Sequence, residues 1–448
     1  HRQNSATLDR SLDSFLLIAD QPLVEGREHR VQVRYEGTVI HQTRNGEYFV
    51  DDRNAWYPFV PPTFANFDLT FHCPRTLQLV STGEPVSDEV AGPTRTVHRR
   101  TETPVALAGF NLGDYARTTE KKGSYQVDCY AEKSAAAEVG SGLLNETERV
   151  LDFYTRRWMP LPIHTISLTP IAGYFGQGFP GLIYLSDVSY TRPEDRPAAL
   201  RNPELDSFFS ELLLPHEIAH QWWGNVVRSG DYRTSWLTEA MANYSALQFL
   251  ETEKGADSAQ SLLSTFRSDL MQKQDGKTTE SAGPIDFGDR LLEDDSFLRW
   301  HAITYEKGAW ILHMLHERLG DEGFRAMQLK LLNEYASKPI TNDEFRVLAA
   351  SFVPPDQPDR SLTLFFDTWI YGTGIPSLHL GGEGKRLEVI VSGVDDNFTV
   401  DVPLTCKSSL GKEAIKWVRV TSGQNPIELT PGLTDCALPS PANFLFVH

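Results

Sequence analysis

Three side chains in the stretch LLLPHEIAHQWWGN, residues 212–225, are of types that bind metal ions or move protons: His216, Glu217 and His220. On a helix, positions i and i+4 share a face about one turn apart. Both imidazoles can then reach one ion while Glu217 points to one side of it. This is the HExxH pattern of a zinc site with a base alongside. Taken alone, the pattern also fits a partly buried histidine pair beside a surface glutamate. A third ligand is therefore needed, and Glu239 supplies the type: eighteen residues separate it from His220, in WLTEAMANYSALQFL. Three protein ligands leave zinc one open position, as in catalytic rather than structural sites. Zinc lowers the pKa of a bound water towards ~7, and Glu217 can take that proton. Hydrolysis of a peptide carbonyl is the reaction this suits.

Positioning these groups requires two packed helices. The apolar residues of WLTEAMANYSALQFL recur at helical spacing, and a turn through Gly224–Asp231 would bring this helix back antiparallel to the first. Around this pair the pattern changes along the chain. Short alternating segments (VQVRYEGTVI, EYFV, FDLTFHC, LQLVSTG) predict an antiparallel β domain over about 1–120, punctuated by Pro61-Pro62 and Gly83-Glu84-Pro85. After the strand-like SYQVDCY, helical period over residues 131–158 and strands near Ile163–Pro170 and Gly181–Leu185 open a catalytic region, 121–375, whose second half is mostly helix. Alternation returns in LEVIVSG, FTVDVPLTC and IKWVRVTSG, predicting a small β domain over 376–448. The fold class expected is multidomain α+β.

The chain resembles the gluzincin metallopeptidases of the membrane alanyl aminopeptidase family. HEIAHQWWGN with WLTEAMA matches that family's zinc motif, HExxH-x18-E, and ITYEKGAWILHML matches its tyrosine ahead of a Lys-Gly pair. The resemblance implies a thermolysin-like catalytic domain, one zinc ion on His216, His220 and Glu239, Glu217 as general base and then acid, and Tyr305 as the donor that stabilises the tetrahedral oxyanion. A phenol suits that task because it donates a hydrogen bond while staying neutral; without the motif, Tyr305 would be an ordinary half-buried helix residue. Two weaker matches are FFDTWIYGTGIPSLHL, where the family's helices give way to the next domain, and PLVEGREHRVQVRYEG, similar to a strand pair of its N-terminal β domain. That β region is short for the family, so the expectation is a natural short form or a fragment of a larger protein.

Aminopeptidases of this family bind the substrate's free amine through the glutamate of a GxMEN motif. The corresponding text is GYFGQGFPGLIYL, in which the glutamate position falls on Gly178. Gln177 could accept a bond from an ammonium but offers no charge, and no carboxylate occurs in AWYPFVPPTF, the other amine-binding region. A buried ammonium without a countercharge is costly. The substrate-binding candidates are Gln177, Gly178, Phe179 and Gly181, on an edge strand whose backbone could pair with an extended peptide; a bulged turn is the alternative. The GxGxxG spelling at Gly176–Gly181 does not fit a dinucleotide fingerprint, because strand-like LIYLSDVSY follows where a helix should open. Aminopeptidase-type hydrolysis is the leading expectation. Its alternatives are an endopeptidase and a catalytically weak or inactive binding module.

Composition narrows the partners. A net charge of -18, with 60 acidic against 42 basic side chains and no basic tract, argues against nucleic acid and points to a peptide or protein substrate. No apolar run reaches the ~18–20 residues of a membrane span. Four cysteines make no CxxC pair, and Cys73/Cys129 and Cys406/Cys436 could form one bridge near each end or be core thiols. A secreted or periplasmic location is favoured over a cytoplasmic one. Trp222 and Trp223 are expected to pack between the site helices, and Asn225 to hold the turn or to bond a ligand histidine. Sequons occur at Asn145, Asn243 and Asn397.

Overall fold

Asp68–Pro74 and Tyr115–Lys122 alternate in burial and pair as antiparallel sheet. The computed structural model of the chain describes residues 21–43, 46–50, 56–59, 63–133, 136–201, 207–292, 297–382, 387–408, 410–429 and 431–448; Pro61-Pro62 lie outside them. The chain falls into two units, 1–38 and 39–448. VQVRYEGTVI, residues 31–40, does not form the expected strand. Its residues are exposed and, among the described residues, the earliest strand is His41–Gln42, because alternation makes a strand only where a neighbour supplies a hydrogen-bonded ladder and a buried face.

In the second unit, four strands pair in the order His41–Gln42, Tyr48–Phe49, Phe110–Gly113, Gln78–Ser81, and Asp68–Pro74, Thr94–Arg100 and Glu84–Ala91 form another antiparallel sheet. A five-stranded sheet follows, ordered Gln177–Phe179, Leu182–Ser186, Thr165–Ile171, Tyr125–Glu132, Tyr115–Lys122. Its three inner strands are parallel. Leu182–Ser186 is buried at every residue, as a parallel strand covered on both faces must be. The edge strand Gln177–Phe179 runs antiparallel to Leu182–Ser186.

Helix α1 (Ala136–Arg157) follows the strand Tyr125–Glu132, which takes up Ala131 and Glu132 from the stretch with helical period. Then come α2 (Leu213–Ala219), α3 (Ser235–Lys254), α4 (Ala256–Met271), α5 (Phe297–His301), α6 (Gly308–Glu334, bent at Gly320), α7 (Asn342–Ala350) and α8 (Thr363–Trp369). Two π-helical turns interrupt this series, Phe208–Leu212 before α2 and Ala302–Lys307 before α6. The first suits Pro215, which has no N–H for the residue four back. Two three-stranded antiparallel sheets close the chain. Their inward residues, among them Leu378, Val402 and Val420, belong to the same apolar core as the helices.

Cys406 and Cys436 form a disulfide between neighbouring strands. Cys73 and Cys129 are free and buried, so the bridge considered near the N-terminal end does not form, and burial pushes the Cys129 thiol up to about 12. Among the described residues, no helix is long and apolar enough to cross a membrane.

Candidate metal centre

Helix α2 carries His216 and Glu217, and His220 caps its C-terminal end. The chain then turns through Gly224, at φ +116°, a backbone conformation that favours glycine. Asp231 Oδ1 accepts from the N–H and hydroxyl of Thr234 and starts α3. The returning helix places Glu239 against α2. His220 Nε2 lies 3.0 Å from His216 Nε2, and Glu239 Oε2 lies 3.3 Å from His220 Nε2 and 3.5 Å from His216 Nε2. Donors about 2.1 Å from a tetrahedral zinc ion stand roughly 3.4 Å apart, so these three groups fit one ion with no rearrangement. Among the described residues they are the one His/Cys/Asp/Glu group with metal-ligand spacing.

The ring of His220 is oriented from behind. Its Nδ1 faces the Trp223 carbonyl at 2.8 Å. A carbonyl can only accept, so Nδ1 carries the hydrogen and Nε2 is left to face the centre. Asn225 does not take this role: its Nδ2 donates to the Gly178 carbonyl at 3.0 Å and ties the turn to the edge strand. Trp222 and Trp223 are buried against Trp158, with ring centroids 5.3 and 5.0 Å away.

Charge at the centre is coupled. Burial lowers His216, and the Glu239 bond only partly offsets this. Burial also opposes a charge on His220, but the Glu239 carboxylate, with Glu217 behind it, outweighs burial and raises the imidazole to about 9. Burial alone would raise Glu239; the two histidines instead hold its carboxyl far below the usual range. His220 and Glu239 therefore stabilise each other's charged forms.

Tyr305 sits in the π-helical turn Ala302–Lys307. Its ring stacks with His301, with centroids 4.6 Å apart, and with His216 at 5.7 Å. Asn243 Nδ2 donates to its carbonyl at 3.1 Å. Asn243, marked in the sequence as a sequon, is buried in α3 one turn beyond Glu239, and helical spacing from that ligand is the sequence signal for it. His301 carried no sequence signal for its stacking.

The edge strand passes directly over α2. A Cβ on Gly176 would stand 2.5 Å from Glu217 Oε1, and one on Gly178 would stand 2.7 Å from both the Glu217 carbonyl oxygen and His220 Cβ. Gln177 is half-buried between them. Phe179 turns its ring into the core against Tyr184, while its carbonyl accepts from Gln221 Nε2. Gly181, at φ +72°, makes the turn into the next strand, and its N–H donates to Gln221 Oε1. Of the substrate-binding candidates, the fold therefore brings Gln177 and Gly178 beside Glu217, together with Gly176, and sets Phe179 and Gly181 behind them.

Residues 207–369 match the family model described as Peptidase family M1 domain, which spans α2, α3, Tyr305 and α8. The chain is a relative of the M1 aminopeptidases. It is 24% identical over 379 residues to Aminopeptidase M1-C of Oryza sativa subsp. japonica, covering 81% of this chain and 40% of that protein. It is 24% identical to Aminopeptidase N of Lactococcus lactis subsp. lactis (60% and 31% covered) and 23% identical to Aminopeptidase N of Mus musculus (79% and 39%). The chain thus spans about two fifths or less of these curated relatives. The part that defines the M1 relationship is the part that holds the His–His–Glu cluster.

Proposed function

We propose that this protein hydrolyses peptide bonds as a one-zinc metallopeptidase with a thermolysin-like catalytic domain. The observation that supports this best is the convergence of His216, His220 and Glu239 within ligand spacing beside Glu217. A zinc ion held there would act as a Lewis acid and acidify a bound water. Glu217, next in sequence to a ligand and pressed against the glycine strand, accepts the proton of the attacking water and returns it to the leaving amine. Tyr305, stacked with His301 and with His216, donates its phenol hydrogen to the oxyanion. Gly176 and Gln177, at the open start of the edge strand, are positioned to pair with an extended substrate backbone.

The chemistry at the amine end is less strict than in typical aminopeptidases. Gly178, where the family's anchor glutamate would align, has no space for any side chain. This favours a peptidase that does not depend on a free N-terminus over strict exopeptidase action, and it leaves room for a binding role without turnover. Incubating the zinc-loaded protein with matched N-blocked and free-amine peptides separates the readings. Internal cleavage of blocked peptides supports endopeptidase action, cleavage of free amines alone supports aminopeptidase action, and binding without cleavage of either overturns the hydrolase proposal.

A further inference from the structure

Two residues beyond Tyr305, the Lys307 side chain is fully buried, and so is its partner Glu280. Lys307 Nζ donates to Glu280 Oε1 at 2.7 Å and to the Gly372 carbonyl at 3.2 Å; Glu280 Oε2 accepts the Gly374 N–H at 2.8 Å. These bonds join three distant segments: the π-helical turn with Tyr305, the short turn Glu280–Ala282, and the Gly372-Thr373-Gly374 loop that leads into the C-terminal sheets. The loop is tight on its own account. A Cβ on Gly372 would meet the carbonyls of Asp367 and Thr368 at 2.8 Å, and Gly374 has φ +114°. On the opposite side, Gly308 lies against Ala240, where a Cβ would come within 2.7 Å of the Ala240 Cβ, one residue past Glu239.

Burying two charges is costly, and an apolar pair of similar volume generally stabilises a fold as well or better. A fully enclosed ion pair is better explained by the arrangement it fixes than by stability. We infer that Lys307 and Glu280 are positioning residues: together with the Gly308–Ala240 contact they fix where Tyr305 stands relative to His216 and Glu239, and they tie that placement to the loop carrying the C-terminal β unit. The inference rests on the proposed role of Tyr305 in peptide hydrolysis.

The test is a double-mutant cycle between Lys307→Met/Glu280→Gln and Tyr305→Phe in the zinc-loaded full chain. In the first variant no charge is left unpaired, and the glutamine oxygen can still accept the Gly374 N–H. Zinc stoichiometry and Tm are recorded as controls. The readouts are kcat and KM on a peptide amide and the affinity for a phosphinic peptide that mimics the tetrahedral state. The expected result is a 10- to 100-fold loss in kcat and in phosphinate affinity, KM within about twofold, zinc content unchanged, and no further loss when Tyr305→Phe is added. If the double variant does not fold, Lys307→Arg, which keeps the charge but cannot meet both acceptors from the same place, is expected to show the same kcat-only loss at smaller size. A lowered Tm with kcat and phosphinate affinity unchanged, or a loss additive with Tyr305→Phe, overturns the inference. If the parent protein cleaves no peptide, the hydrolase reading fails, and the phosphinate cycle still decides the positioning claim.

Discussion

His220 sets how the centre takes up metal. Its imidazole, raised to about 9 in the metal-free protein, is protonated at neutral pH, and an ion can bind only the neutral ring. Metal uptake must expel that proton, so affinity should rise by roughly tenfold per pH unit up to about pH 9. A chelator competition run from pH 6.5 to 8.5 checks this; a flat profile would contradict the assignment of the proton to His220. Residue types and spacing made the cluster legible, since HExxH and an acidic residue eighteen positions on are a chemical pattern in the sequence itself. The Trp223 carbonyl behind His220 was not legible, because any residue has a carbonyl and only the fold aims it.

At the scale of elements, the glycine strand over α2 leaves no space for a side chain beside the centre. Gly178→Ala would put a methyl against the Glu217 carbonyl and His220 Cβ, and overpacking of this kind costs about 1–3 kcal/mol. We expect a lower Tm and weaker zinc binding from Gly178→Ala, measured by calorimetry and zinc titration; parent-like values for both would mean that the strand gives way freely. A second check concerns α7, whose N-terminus has a capping box in which the Thr341 hydroxyl accepts from the Glu344 N–H and the Glu344 carboxylate accepts from the Thr341 N–H. Thr341→Ala should cost about 1 kcal/mol of stability and leave zinc affinity unchanged; a change in zinc affinity would tie α7 to the centre unexpectedly. Thr165–Ile171 and α3 were readable from apolar residues at strand length and at helical spacing, although Ile166–Ile171 and Ala240–Leu250 are buried without a break, so burial itself shows no period there. VQVRYEGTVI misled for the converse reason: alternation records a preference, and pairing decides whether it is used. The π-helical turns carried no period of their own and were invisible.

Over the whole molecule, the helices and the C-terminal sheets share one core, and the Cys406–Cys436 disulfide closes the last of those sheets. Removing it should destabilise the fold by about 2–4 kcal/mol while leaving the metal centre intact. Cys406→Ser/Cys436→Ser is therefore expected to melt earlier and bind zinc with parental affinity; loss of zinc would place the bridge in the site's support. Disulfides persist in oxidising compartments, and this bridge supports the proposal of a secreted or periplasmic protein. The cysteine spacing alone could not distinguish it from the free pair Cys73 and Cys129, because partners are chosen by which strands become neighbours.

The proposed hydrolysis requires Glu217 as the proton acceptor beside a bound zinc ion. The deciding measurement is turnover of a peptide amide by Glu217→Gln compared with the parent, each with its zinc content determined. The prediction is one zinc per chain in both and a fall in kcat of roughly 10²–10⁴-fold in the variant. A zinc-loaded Glu217→Gln protein that cleaves peptides at near-parental rates would contradict the mechanism.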